Sequence, residues 1–207
     1  GQPLAIPYGP AGYIPRLLDT LDGLVVPGGD YPFPDAWYGE GHPPSPYGQG
    51  PSPRAAFEAQ ITQQALDRPL PCLGICAGMQ VMAALLGCRL TGDCRTLVAN
   101  DHRVPHPERP CHPIVVTPHT RLRALAATDI VQVNSAHREA VAEVAPGVMV
   151  GAWAEDGLIE AIELDDHPFA VGVQWHPEYW VAPEAPLGAD LLHRRLFEGL
   201  VDAAGRA

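Results

Sequence analysis

The chain has 207 residues, 46% of them hydrophobic, and a formal net charge of −11 at pH 7. That length fits one domain with a sizeable core, and the acidic balance argues against nucleic acid or an anionic membrane surface as partner. No apolar run approaches bilayer length and no secretory signal pattern is present, while five cysteines, odd in number and irregularly spaced, suit a reducing cytosol better than a disulfide framework.

Strand-like and helix-like segments alternate along the chain, which predicts an α/β sheet flanked by helices. Residues 4–6 are a strand candidate and 14–21 a short helix. Residues 24–26 form a buried strand that runs into Pro27-Gly28-Gly29-Asp30. Residues 31–53 are rich in Pro and Gly, with Trp37, Tyr38 and Tyr47 interspersed, and exclude a regular element. They follow a strand end, where open α/β sheets bind ligands, so they are either a solvated loop or a lid whose aromatics shape a pocket. A helix is expected over 55–66, the central strand over 70–75 and another helix over 77–86. Strands follow at 114–116, 130–133, 148–153 and 158–164. Residues 187–201 close the chain as a helix, with Leu192, Leu196 and Leu200 repeating on an apolar face.

The most informative stretch is Leu73-Gly74-Ile75-Cys76-Ala77-Gly78-Met79-Gln80. A buried strand, a turn with glycines two positions either side of Cys76, and an apolar helix make the cysteine form of a nucleophile elbow. The N–H groups and positive dipole end of the helix favour thiolate over thiol. A nucleophilic cysteine needs a base, and the base an orienting group. Phe169, Val171 and Val173 alternate as a strand, and His176 and Glu178 follow its C-terminal end. Their two-residue spacing puts both side chains on one face if the chain stays extended. Pro177 keeps His176 out of helical conformation. Cys76, His176 and Glu178 therefore form a predicted triad of nucleophile, base and orienting carboxylate.

Those two motifs resemble a class I glutamine amidotransferase-type domain. Three further segments, 22–30, 133–137 and 156–163, are similar to the peptidase C26 family, particularly its γ-glutamyl-γ-aminobutyrate hydrolase branch. The resemblance implies a flavodoxin-like open, mostly parallel twisted sheet with a small antiparallel addition. It also implies an oxyanion hole from the N–H groups of Gly29 and Ala77, with Gly28, in the same turn, expected to contact the substrate. It implies a small γ-glutamyl substrate and no cofactor. Two positions depart from the family pattern: Ala77 replaces an arginine, and Ala136-His137-Arg138-Glu139 replaces His-His-Gln. The family's usual first strand and helix have no counterpart before Gly1, so the single domain over 1–207 is expected to lack them.

Gln80, one helical turn beyond Cys76, is expected either to reach a substrate's α-amino or α-carboxylate group or to be a helix-surface residue. Ser135 and His137, after a strand, either complete a glutamyl pocket or are loop residues. His102, His106, Cys111 and His112, with Cys94 nearby, suggest a metal cluster, but the spacing matches no regular finger. Prolines at 105, 107, 110 and 113 point to a meandering loop, so no metal is expected. Cys72, Cys88, Cys94 and Cys111 are expected to pack in the interior, and His119, His167 and His193 to be exposed. Three functional readings follow: a free-standing cytoplasmic γ-glutamyl hydrolase, monomeric or homodimeric; a glutaminase subunit feeding ammonia to a separate synthetase; and a non-catalytic binding domain.

Overall fold

The computed structural model describes residues 1–104, 108–181 and 191–205; His106 and the first residues of the predicted closing helix lie outside them. A seven-stranded sheet has the order β1-β2-β9-β8-β7-β4-β5. Its strands are β1 (Leu24–Val26), β2 (Cys72–Ile75), β4 (His112–Val116), β5 (Ile130–Val133), β7 (Met149–Ala154), β8 (Ile159–Glu163) and β9 (Ala170–Val173). β2 pairs in parallel with β1 and β9, and the remaining pairings are antiparallel. It follows that β1, β2, β9, β7 and β5 run one way, and β8 and β4 the other. The antiparallel addition is a separate pair, β3 (Arg89–Thr91) with β6 (Ala140–Glu143).

β2 and β9 are buried along their whole length, as parallel strands covered on both faces must be. Period-two alternation distributes them between two cores. Cys72 and Ala170 face a cluster with Ile14 and Leu18 of α1 (Ile14–Leu18), Phe57 and Ile61 of α2 (Pro53–Leu66), and Met79 and Met82 of α3 (Ala77–Leu85). Leu73, Ile75, Val171 and Val173 face the other way, against Leu122 of α4 (Arg121–Ala126) and Leu192, Leu196 and Leu200 of α5 (Leu191–Ala204). Gly74 and Gly172 are register partners and leave a trough under α3. A Cβ at Gly74 would lie 2.6 Å from Met82 Sδ, and one at Gly172 2.9 Å from Met79 Cγ.

Local signals explain most boundaries. Ser52 caps α2 by accepting from the Ala55 N–H, with Pro53 in the first turn, the preferred chemistry there. α4 was not foreseen. Thr120 caps it, and the buried Glu163 of β8 accepts from the N–H groups of Arg121 and Leu122. The predicted strand at residues 4–6 is absent: that segment forms no regular element, and Leu4 is exposed. His167 and His193 are buried rather than exposed. Each has a local hydrogen bond, His167 Nδ1 from the Phe169 N–H and His193 Nδ1 from Trp175 Nε1. Cys72, Cys88 and Cys94 are interior as expected, but Cys111 is exposed. Among the described residues no helix is long and apolar enough to cross a membrane.

Candidate active site

Cys76 sits between β2 and α3 with φ 51° and ψ −107°, a conformation L-residues avoid and that persists only where the surroundings over-determine it. Here its N–H donates to Val173 O at 2.8 Å, and its carbonyl accepts from the Gln80 N–H at 3.1 Å. Strand pairing thus fixes one side of the turn and the helix the other. The glycine requirement is equally local. A Cβ at Gly78 would lie 2.0 Å from Val26 O, so α3 can leave the elbow only over a bare backbone.

His176 Nδ1 lies 2.7 Å from Glu178 Oε1, and Cys76 is the other neighbour whose interaction raises the ring's pKa. Burial alone would lower the His176 pKa. The hydrogen bonds to Cys76 and Glu178, with the negative charges of both partners, outweigh it and raise the pKa to about 10. Residues Pro177–Trp180 form a 3-10 turn rather than the extended continuation inferred from spacing. His176 itself stays non-helical, φ −109° and ψ 85°, as the following proline requires, and the turn brings Glu178 to the ring. Asn134 holds the His176 backbone twice: Oδ1 accepts its N–H and Nδ2 donates to its carbonyl, both at 2.8 Å.

Gly28 packs directly on this pair, since a Cβ there would lie 2.7 Å from His176 Cε1 and 3.2 Å from Cys76 Cβ. Arg54, which sequence reasoning missed, fixes the orientation of the next peptide. Its Nη2 donates to Gly28 O at 2.7 Å, its Nε pairs with Glu58 at 2.8 Å, and the guanidinium lies over the Tyr31 ring at 4.3 Å. In a trans peptide C=O and N–H point opposite ways. Holding Gly28 O therefore turns the Gly29 N–H away from Arg54, and Gly29 borders the pocket that Cys76 opens into. Ala77 is the first residue of α3, where a backbone N–H has no intrahelical acceptor.

That pocket is also lined by Asp30, Tyr47, Gln80, His137, Arg138 and Glu139. Gln80 is buried, not a helix-surface residue, and its Nε2 donates to Glu139 O and Gln174 Oε1. Its amide N–H groups are thus engaged within the protein, and only the carbonyl oxygen remains for a ligand. Ser135 is buried and donates to His102 O at 2.6 Å; its hydroxyl joins two loops rather than lining the pocket. His137 borders the pocket with its ring turned toward Glu160. Glu139 accepts from Tyr38 Oη at 2.5 Å. Burial, with a smaller push from Asp30, raises its pKa to about 7 against the lowering hydrogen bonds from Tyr38 and Ser45. The segment over 31–53 is anchored, with Tyr31, Phe33 and Tyr38 buried, and it places Tyr47 at the pocket. Of these lining residues, Asp30 closes the 22–30 segment, Tyr47 is one of the aromatics of the segment over 31–53, and Arg138 and Glu139 lie in the departure at 136–139; none carried an individual role in the sequence reading.

A family model described as Peptidase C26 matches residues 1–178. Gamma-glutamyl-gamma-aminobutyrate hydrolase PuuD of Escherichia coli (strain K12) is 33% identical, over 98% of this chain and 80% of its own. A glutamine amidotransferase-like protein of Rickettsia prowazekii (strain Madrid E) is 28% identical, over 99% of this chain and 84% of its own. A solved structure from Thermoplasma acidophilum, assigned to GMP synthase, aligns with a TM-score of 0.62 at 18% identity, covering 96% of this chain and 80% of that one. At that identity the likeness concerns the fold alone.

Proposed function

The chain belongs to the peptidase C26 family and is a glutamine amidotransferase-like hydrolase; from that premise we propose that it cleaves the γ-amide bond of a small γ-glutamyl compound through a cysteinyl thioester. The observation that carries the reading is Cys76, held at a strained strand-to-helix turn against an imidazole that Glu178 orients. In the first half-reaction the Cys76 sulfur attacks the γ-carbonyl carbon. The N–H groups of Gly29 and Ala77 stabilise the resulting oxyanion, being fixed donors that need no reorganisation. His176, protonated at neutral pH, gives its proton to the leaving amine as the C–N bond breaks. Water, deprotonated by the now neutral His176, then attacks the γ-glutamyl thioester, and glutamate leaves with the sulfur restored.

Substrate recognition follows from charge. Glu139 and Asp30 offer carboxylates to an α-ammonium group, joined by the carbonyl oxygen of Gln80. Arg138, whose Nη2 lies 3.4 Å from Asp93 Oδ2 and whose buried Nε has no partner among the described residues, borders the pocket and offers a cation to the α-carboxylate.

Glutamate release from γ-glutamyl-γ-aminobutyrate and from glutamine, side by side, tests this, with Cys76→Ala as control. Preference for the γ-glutamyl amine, lost in the variant, is the expected outcome. Turnover of glutamine alone would make the chain a glutaminase subunit, and unchanged turnover by Cys76→Ala would refute the mechanism.

A further inference from the structure

Behind the pocket, three histidines from distant parts of the chain surround one buried carboxylate. Glu160 of β8 is fully buried, and its Oε1 is 3.4 Å from His102 Nδ1, 3.6 Å from His112 Nε2 and 3.6 Å from His137 Nε2. These separations are too long for charge-assisted hydrogen bonds, which run about 2.7–2.9 Å. Among the described residues neither Glu160 oxygen has a hydrogen-bond partner, nor does His112 Nε2 or His137 Nε2. Ser135 Oγ is 3.4 Å from His102 Nδ1, but its proton goes to His102 O.

The other nitrogen of each ring settles where the protons are. His102 Nε2 faces Asp156 Oδ2 at 3.0 Å, His137 Nδ1 faces Glu139 O at 3.0 Å, and His112 Nδ1 faces Pro113 O at 3.1 Å. Each of these partners only accepts, so each outer nitrogen carries the N–H. In a neutral imidazole the inner nitrogen then presents a bare lone pair to a carboxylate oxygen. Lone pairs set against a buried carboxylate in this way repel it unless a proton or a metal ion lies between them. Donors about 2.0–2.1 Å from a common tetrahedral ion stand about 3.3–3.4 Å apart; Glu160 Oε1 stands 3.4 Å and 3.6 Å from the His102 and His112 nitrogens, and one donor atom from each of these three residues lies within 4.8 Å of the others. An outer N–H held by a carboxylate or carbonyl is also how metal-binding histidines are oriented.

We propose that His102, His112 and Glu160, which each offer one donor atom within 4.8 Å of the others, form a site for one divalent transition-metal ion, zinc by its nitrogen-and-carboxylate donor set. Three protein donors leave a fourth position for water or another ligand. The ion ties the loop of His102 and the start of β4 to Glu160 of β8. A pocket of about 210 Å³ lined by Asn100, Asp101, Cys111 and Asp156, among others, reaches His102 and His112 and provides an entry path. The sequence expectation that discounted a metal had weighed Cys94 and Cys111 as ligands. The fold supplies Glu160 instead, 58 residues from His102.

The test uses Cys76→Ala protein, which removes the nucleophilic sulfur as a competing ligand and makes the result independent of catalysis. It is purified without immobilised metal, stripped with a chelator and titrated with Co²⁺ and then Zn²⁺. The expected result is one Co²⁺ per chain with intense tetrahedral d–d absorption, displaced by Zn²⁺, and a Tm that rises with metal. His112→Gln and Glu160→Gln should each weaken uptake at least tenfold. X-ray absorption on the zinc-loaded chain needs no variant and should show nitrogen and oxygen donors at about 2.0–2.1 Å with no sulfur. A folded chain that takes up neither ion, a sulfur donor in the first shell, or undiminished uptake by His112→Gln would overturn the site.

Discussion

At the scale of single residues, two titrating groups and one arginine govern what the site can do. Cys76 and Glu178 hold His176 protonated to about pH 10. An NMR titration of the imidazole should find its pKa lower in Cys76→Ala and in Glu178→Gln, with burial left as the opposing influence. Glu139, raised to about 7 by burial, is neutral below that pH and charged above it. If it receives the substrate ammonium, KM should fall as pH rises through 7, and Glu139→Gln should flatten the profile. The same shift affects stability. With its folded pKa above the unfolded value, the folded chain binds an extra proton between about 4.3 and 7, so stability declines as pH rises across that window. Denaturant unfolding of Glu139→Gln should lack this component. Arg54 acts at one remove, by holding Gly28 O. Arg54→Met should lower kcat about 10- to 100-fold with little change in KM, as expected for a weakened oxyanion donor. Equal losses in kcat and thermal stability would reduce it to a packing residue.

At the scale of elements, α3 lies close on the sheet because glycines make room for it. Gly78→Ala would bring a methyl group to 2.0 Å from the Val26 carbonyl oxygen, a backbone atom that cannot rotate aside. The variant should lose about 1–3 kcal/mol or more in denaturant unfolding. α4 depends on a different device. Thr120→Ala removes an ordinary cap, costing about 1 kcal/mol. Glu163→Ala leaves the N–H groups of Arg121 and Leu122 without their buried acceptor and should cost about 2–3 kcal/mol. This difference explains what the sequence disclosed. The spans 24–26 and 130–133 coincide with β1 and β5, since apolar strands bounded by turn residues announce themselves locally. The six-residue α4 shows too little period to be read, and its second acceptor arrives from β8, some forty residues on. The Cys76, His176 and Glu178 positions were legible because glycines and a proline enforce their backbone. Tyr47 stood out only as an aromatic of the 31–53 segment and Asp30 only within 22–30; their meeting with Glu139 at the pocket is a product of tertiary packing alone.

For the whole molecule, the site lies where two halves of the sheet meet. The parallel strands β1, β2 and β9 supply Gly28, Gly29, Cys76 and His176 from their C-terminal ends, where open α/β sheets bind ligands. The antiparallel strands supply the segment 134–139. Asn134 spans this division, holding the His176 backbone by both amide atoms while its own loop continues into Arg138 and Glu139 at the pocket wall. Asn134→Ala should therefore lower kcat even though the residue is no part of the proposed chemistry. The arrangement also limits how such a protein can be reshaped, by selection or in the laboratory. Grafting a relative's 134–139 loop to exchange one leaving amine for another would also disturb the support of the proton donor. New specificity and full turnover would then have to be recovered together, through compensating changes near His176.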